Sequence, residues 1–453
     1  MTIKNIIFIL MLLPFFSCQE AEKEKLDQLE YSNEKIKEGV IYEVNVRQYS
    51  ESGTFNDFTK DIPKLKDLGV KILWLMPIHP ISEKNRKGTL GSYYSITDYK
   101  EVNPEFGNKE DLDLLITTAH DNGMYVILDW VANHTGWNHD WIENNPEYYT
   151  KNEKGEITDP INPETGKPWG WEDVADLDFS NKSMQNEMIE SMEYWIREHN
   201  IDGYRCDAAH SCPVSFWKEC VSRLNKIKKV LMLAESDGYH TGGFELIELF
   251  DMSYSWPGHH VLNQIAKKEN NALDLINNIE TNIKDYSEGH ILMNFTTNHD
   301  ENTWTGTVFE RFGDGAKTFS ALTYFLPGIP LIYNGQEYGL NKRLPFFEKD
   351  FIPKNESEFY DFYKTLALIK IENKALHLDQ KVNFEILKTN NNHVVFFKRS
   401  NKEESTYFLG NLSDQTQTIK QDFKIDFVSL FKNETFKLDI NQELAPWEFH
   451  FLN

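Results

Sequence analysis

The sequence predicts an α/β fold, a (β/α)8 TIM barrel with a short excursion domain after its third strand and a C-terminal β-sandwich. Three observations carry this. Between about residues 39 and 375, eight short apolar runs alternate with amphipathic segments, the pattern of a parallel sheet covered by helices. One connection, about 135–180, is far longer than the rest and rich in Asn, Trp, Gly and Pro, and long loops inside compact domains are usually functional. Over 376–453 the text changes to short strands with turn residues between them. A doubly wound open sheet is the rival. It expects a glycine-rich phosphate turn after the first strand, and "NVRQYSESGTF" has only Gly53.

The elements follow in order. Lys4 precedes an apolar run from Ile6 to Phe16, then Ser17 and Cys18. The run is too short to span a bilayer and reads as a signal peptide over 1–17. The ending "FFSC" resembles a bacterial lipoprotein cleavage site, with Phe15 where leucine is usual. Cys18 would then carry the lipid; the alternative is an ordinary secretory signal with a chance cysteine. Residues 18–38 are charged and poor in apolar residues, as a tether to a membrane should be. The expected location is outside the cytoplasm, on the outer membrane.

The barrel strands are expected in "GVIYEVNVRQY", "VKILWLMPI", "MYVILDW", "IDGYRCD", "VLMLAES", "LFDMSYS", "HILMNFTTNHD" and "IPLIYNGQE". Among the helices, "NKEDLDLLITTAHDNG" shows its logic. Asn108 is the N-cap, Leu112, Leu115, Ile116 and Ala119 form one stripe, and Gly123 is the stop.

Net charge is −24, from 47 basic and 71 acidic side chains. Nucleic-acid and anionic-membrane partners want basic patches, so the balance argues against both; solubility accounts for it, and neutral substrates and a bound cation stay compatible. Thirty Phe, twenty Tyr and eleven Trp serve packing and also suit sugar binding. Past Cys18 three cysteines remain, Cys206, Cys212 and Cys220, with no CxxC pair, so zinc is not expected. Cys206 alternates with Arg205 and Asp207, faces the other side of its strand, and reads as a buried thiol. A Cys212–Cys220 disulfide is left open.

Four apolar runs end in an acid: Asp129, Asp207, Glu235 and Asp300. The C-terminal ends of barrel strands carry active sites. Any one of these acids could instead be a helix cap. Four of them, with Arg205, His134 and His299 alongside, point to chemistry. Clustered acids can bind metal, abstract a proton beside a metal-bound enolate, or hydrolyse glycosidic bonds. Enolate chemistry wants a lysine or histidine base with magnesium, and no lysine ends a strand. Glycoside hydrolysis wants one acid to protonate the leaving oxygen and one carboxylate opposite it. An arginine beside the nucleophile would keep it ionised, and an apolar setting would keep Glu235 protonated.

At this point the chain resembles glycoside hydrolase family 13, the α-amylase family, from about Gly39 to the C-terminus. The motifs occur in family order: "DWVANH" (129–134), "VADLD" (174–178), "GYRCDAA" (203–209), "AES" at Glu235 and "TNHD" (297–300). "GVKILWLMP" (69–77), "GSYYSITDY" (91–99) and "GIPLIYNGQE" (328–337) add to them. The resemblance implies Asp207 as nucleophile, Glu235 as general acid then base, and Asp300 as a stabiliser that binds sugar hydroxyls. It implies that Arg205 orients Asp207, that His134 and His299 bind the scissile-site sugar, and that Tyr94 stacks beneath it. Asp129 would be structural. Asn133 and Asp176 match positions that bind a structural calcium in many members, although Asn133 could equally be a loop hydrogen-bonder.

The implied activity is cleavage of α-1,4 links in starch-like glucans or malto-oligosaccharides through a covalent glycosyl-aspartate. Ala208 after the nucleophile agrees with α-1,4 action. The same scaffold also serves α-glucosidases and transglycosylases, and a non-catalytic sugar-binding protein would have lost an acid. The family often has lysine and histidine three and four positions past the nucleophile. Here stand His210 and Ser211, which leaves that subsite open. Trp137, Trp169, Trp171 and Trp304 lie near the expected mouth, for stacking or for packing.

Overall fold

The computed structural model describes residues 31–379, 382–422 and 424–453. The expected signal peptide, Cys18 and the tether up to residue 30 lie outside the described residues. Where the tether is described, it departs from a free linker. Tyr31 and Ile36 are buried and join the cluster that fills the barrel interior. Tyr31 packs edge-on against Tyr125 of the third strand at 6.1 Å. Two apolar side chains near a barrel end gain more from burial than from water, so the packed chain begins before residue 39.

The eight barrel strands are Val40–Val44, Val70–Leu75, Tyr125–Val131, Gly203–Asp207, Leu231–Ala234, Met252–Tyr254, Ile291–Asn294 and Ile329–Tyr333. Each pairs in parallel with its neighbours in the chain, and the first pairs with the eighth to close the barrel. Alternation sorts the side chains. In the fourth strand Tyr204 and Cys206 join the outer core between barrel and helices, while Arg205 and Asp207 face inward. Gly203 is required where this strand meets the fifth, since a Cβ there would lie 1.9 Å from the Leu231 carbonyl.

Inside the barrel the strands change character along their length. Ile41 is followed by Glu43, Ile72 by Trp74 and Ile127 by Asp129 on the same face. The N-terminal half of the interior is therefore apolar and the C-terminal half polar. The helix Lys109–Asp121 is closed by a capping box at Asn108, and Leu112, Leu115, Ile116 and Ala119 are buried.

After the third strand, His134–Gly136 pairs antiparallel with Val174–Asp176. The segment between them holds the short helix Trp141–Asn144 and isolated bridges such as Ile161 to Pro168. The C-terminal region is a six-stranded antiparallel sheet beside a two-stranded ribbon, Gln417–Lys420 with Asn441–Leu444. Phe396, Leu409, Ile419 and Leu444 pack into one core there. Arg399 ties this region to the barrel by donating to the carbonyls of Phe325, Leu326 and His377.

The three described cysteines are all free and buried, so Cys212 and Cys220 do not form a disulfide. Cys220 lies on the buried face of the helix Val214–Leu224, with its thiol against the Met192 sulfur at 3.4 Å. Packing, not cross-linking, occupies it.

Candidate active site

Arg205 organises the C-terminal mouth of the barrel. Its side chain is fully buried. Nη1 donates to Asp129 and to Asp207, both at 2.8 Å. Nε donates to the Tyr254 hydroxyl at 3.2 Å. Nη2 stands 2.9 Å from Glu235, an ion pair set off the hydrogen-bond axis. The guanidinium also lies over Trp74, 5.0 Å from the ring centre. One cation thus holds three of the four acids that end apolar runs.

Those acids differ in surroundings. Asp129 is fully buried, and its second oxygen accepts from the Trp74 indole at 3.1 Å and the Tyr94 hydroxyl at 3.0 Å. Its lone pairs are taken, which leaves it to position neighbours. Asp207 and Glu235 keep 14% and 16% of their side chains exposed, toward the cleft. Burial pushes Asp207 up to about 6, with Arg205 opposing and Asp129 adding to the rise. Sequence reasoning expected Arg205 to keep this carboxyl ionised; its pull limits a rise whose largest cause is burial. Burial also pushes Glu235 up, and Asp207 and Asp300 add to that against the pull of Arg205.

Glu235 accepts the Ala208 N–H at 2.7 Å. Ala208 sits at φ +40°, a left-handed conformation that costs a non-glycine residue energy and occurs where structure over-determines it. The strained turn directly after Asp207 therefore links the two cleft carboxyls.

Asp300 is placed differently from expectation. The seventh strand ends at Asn294, and Asp300 stands at the start of a π-helical turn, Glu301–Thr305. Its partners are His299 Nε2 at 3.4 Å and the Trp304 indole N–H at 3.2 Å. His299 also contacts the Tyr94 hydroxyl at 2.8 Å, and the two rings stack 5.6 Å apart. On its other side His299 Nδ1 lies 2.5 Å from Glu43. Burial disfavours charge on His299, but Asp300 and Glu43 outweigh it and hold the imidazole up at about 9. His134 lines the same cleft with both ring nitrogens buried and unpartnered, and burial pushes it down to about 4. It is a neutral ring with hydrogen-bonding capacity left over for a ligand.

The cleft encloses about 690 Å³, a size suited to small-molecule binding. Trp169 and Trp171 stack in parallel at one side, 5.2 Å apart. Trp304, Phe346 and Phe347 cluster at another, with Trp304 5.3 Å from Phe346. Trp137 is not in the lining; its indole donates to the Glu172 carbonyl at 3.0 Å. His210 stacks on His240 at 4.8 Å, and His240 pairs with Asp237 at 2.9 Å. Ser211 lies beside them in the cleft wall.

Sequence reasoning missed Glu43, Tyr254, His240 and Phe346. Glu43 had a readable signal, an acid inside the apolar strand "VIYEV". Tyr254 ends the sixth strand, where an aromatic reads as ordinary packing; His240 and Phe346 had no signal, because they come from loops whose path alternation does not reveal.

Chemically, the arrangement is two carboxyls on one guanidinium with a third acid across the cleft. The family model for the alpha-amylase catalytic domain matches residues 32–393, which include every one of these groups. The chain belongs to the α-amylase family. It is similar to alpha-amylase 3 of Dictyoglomus thermophilum, 26% identical over 96% of this chain and 93% of that one. A crystal structure of an alpha-amylase from Lactobacillus plantarum superposes with TM-score 0.83, at 28% identity, over 92% of this chain and 99% of that one. A noncanonic maltogenic alpha-amylase from Thermotoga neapolitana gives 0.81 at 26% identity, over 93% and 99%.

Calcium is the cation that α-amylase family membership implies. Asn133 Oδ1 is buried without a partner. Asp176, brought beside this segment by the His134–Asp176 pairing, is pushed up to about 7 by burial, with Asp159 and Asp178 adding to the rise. An orphaned amide oxygen and a desolvated carboxyl fit a hard cation as donors. Among the described residues no group of three His, Cys, Asp or Glu gathers there, so carbonyls or water would complete the shell.

Proposed function

We propose that the protein is a retaining α-glycoside hydrolase that cuts α-1,4 links in starch-like glucans or malto-oligosaccharides. The observation that carries this is the pairing of Asp207 and Glu235 on Arg205. Sharing one guanidinium gathers the two carboxyls at one point of the cleft, as a nucleophile and an acid flanking a single glycosidic bond require. Asp207, at about 6, is mostly ionised at neutral pH. Burial also pushes Glu235 up, which favours its protonated, proton-donating form.

Asp207 attacks the anomeric carbon while Glu235 gives its proton to the leaving glycosidic oxygen. The C–O bond breaks and a glycosyl ester forms on Asp207. Glu235, now a carboxylate, takes a proton from water as the water attacks the same carbon, and Asp207 leaves. Both steps pass through oxocarbenium-like states, which the surplus of carboxylates over cations in the cleft stabilises. Asp300 holds sugar hydroxyls, His134 and His299 bind the scissile-site ring, and Tyr94 supports it.

A second reading, transglycosylation or α-glucosidase action, draws on the His210–His240 stack in the cleft wall. An aromatic wall near the acid can seat a sugar acceptor where water would enter. A time-resolved product profile on maltoheptaose decides between them. Hydrolysis yields only shorter chains, transfer yields longer ones as well, and no products at all refutes both.

Calcium belongs to this reading as a brace between the third strand and the excursion through Asn133 and Asp176, with no part in the chemical steps. A melting temperature unchanged by chelation and calcium add-back counts against it. Export and a lipid on Cys18 complete the reading. Palmitate labelling that survives Cys18→Ala would refute the anchor.

A further inference from the structure

Asp207 and Glu235 are held by a buried guanidinium, and Asp300 is not. Its side chain is 38% exposed, and its partners His299 and Trp304 come from its own loop. The position of Asp300 therefore depends on how that loop's backbone is held. The backbone makes a π turn, closed by the Gly306 N–H on the Glu301 carbonyl at 2.8 Å. Isolated π turns are rare and recur at functional sites.

One side chain grips this turn at both ends. Arg311, on the short helix Val308–Phe312, has 3% of its side chain exposed. Its Nη2 donates to the Thr296 carbonyl before the turn at 2.6 Å. Its Nε donates to the Gly306 carbonyl after the turn at 2.9 Å. Nη1 lies 3.3 Å from the Glu301 carboxylate inside the turn and donates to Asn263 at 3.0 Å. His259 stands 3.3 Å from the same Glu301 oxygen. A rigid fork of five donors can satisfy these directions together, and a lysine ammonium cannot reproduce the fork.

We propose that Arg311 is a positioning residue for the glycosyl-transfer step. By tying Thr296, Glu301 and Gly306 together, it sets the backbone from which Asp300 reaches the sugar. This rests on the reading of Asp300 as a sugar-holding stabiliser.

The test is a double-mutant cycle of Arg311→Lys with Asp300→Asn in the full chain. The substrate is an aryl α-maltoside, whose good leaving group keeps weak variants measurable. Arg311→Lys alone lowers kcat/KM at least roughly tenfold, since an ångström of misplacement costs up to about a hundredfold. In the Asp300→Asn background the same change costs less than roughly threefold, because the group it positions is gone. A general loss of fold would cost the same in both backgrounds, so equal losses overturn the proposal, as does no loss in the first. If Arg311→Lys does not fold, Glu301→Gln replaces it in the cycle. That change weakens one of the three ties and leaves the Arg311 bonds to Thr296 and Gly306, so the expected loss is smaller, roughly threefold, and it should vanish in the Asp300→Asn background; an equal loss in both backgrounds, or none in the first, overturns the proposal. A wild type inert on the maltoside removes the hydrolase reading and this proposal with it. An active wild type with an additive cycle removes only the role of Arg311.

Discussion

Replacing Glu43 by glutamine probes the charge of the cleft through a residue that touches no sugar in the proposed mechanism. Glu43 and His299 form a fully buried pair 2.5 Å apart. Burial alone would keep the imidazole neutral; Asp300 and Glu43 reverse this and hold it at about 9, against an ordinary 6.5. A move of that size is worth about 3 kcal/mol. The net gain is smaller, because burial also pushes the Glu43 carboxyl up and His299 only partly pulls it back. Glutamine removes one charge-assisted hydrogen bond, worth roughly 1.5–3 kcal/mol, which is half or more of what holds the proton. A raised histidine contributes stability that is full below 6.5 and lost as pH rises through about 9. In the variant the contribution is smaller and is gone at a pH nearer neutrality. Ring-labelled histidine NMR, titrated alongside kcat/KM, reads both effects. The His299 transition should move down toward neutral pH in Glu43→Gln, and activity should fall earlier on the alkaline side. An unchanged transition would refute the pairing. A shifted transition with an unchanged alkaline limb would refute the need for a charged imidazole.

Other expectations are as direct. Asp207→Asn and Glu235→Gln should each lower kcat on maltoheptaose by roughly 10³-fold or more, and near-normal turnover in either sinks the assignment. Because Asp207 must be ionised to attack and burial holds it up at about 6, kcat/KM should drop as pH falls through 6, and a profile flat from pH 7 to 5 contradicts it. Burial pushes His79 down to about 4 and His139 to about 3, so both are neutral when folded. The unfolded chain takes up those protons near 6.5, so each of these rings costs up to about 3 kcal/mol of stability as pH drops from 6.5 toward 4. Asp207, held at about 6, and Asp176, at about 7, act in the opposite sense, so the rings are read singly by histidine NMR, and either one titrating near 6.5 in the folded protein would show that it is not buried neutral.

The barrel was legible because its signal is periodic. Each of the eight expected apolar runs contains one observed strand, and the alternation in "GYRCD" correctly turned Arg205 and Asp207 inward and Cys206 outward. The strands mostly proved shorter than the apolar text. In "GVIYEVNVRQY" pairing stops at Val44 and the chain turns helical at Val46–Tyr49, although those four residues are buried too. Apolar character reports burial, and the hydrogen-bond ladder can end while burial continues.

The same distinction explains what was not legible at the site. Asp129, Asp207 and Glu235 lie on a strand or directly after one, so spacing alone aims them at one point, and one arginine collects them. Asp300 is six residues past its strand, and its aim depends on carbonyls held by Arg311 on the helix that follows the loop. Carbonyl capture leaves no mark in residue type, so the sequence shows an acid but not what points it. The cleft therefore combines two kinds of placement. Its nucleophile and acid are fixed by the sheet, and its third carboxylate by a loop with a separate anchor. Changes in that anchor can tune transition-state contacts without disturbing Asp207 or Glu235, which makes the 295–306 loop the place where this barrel can vary its rate and still keep its chemistry.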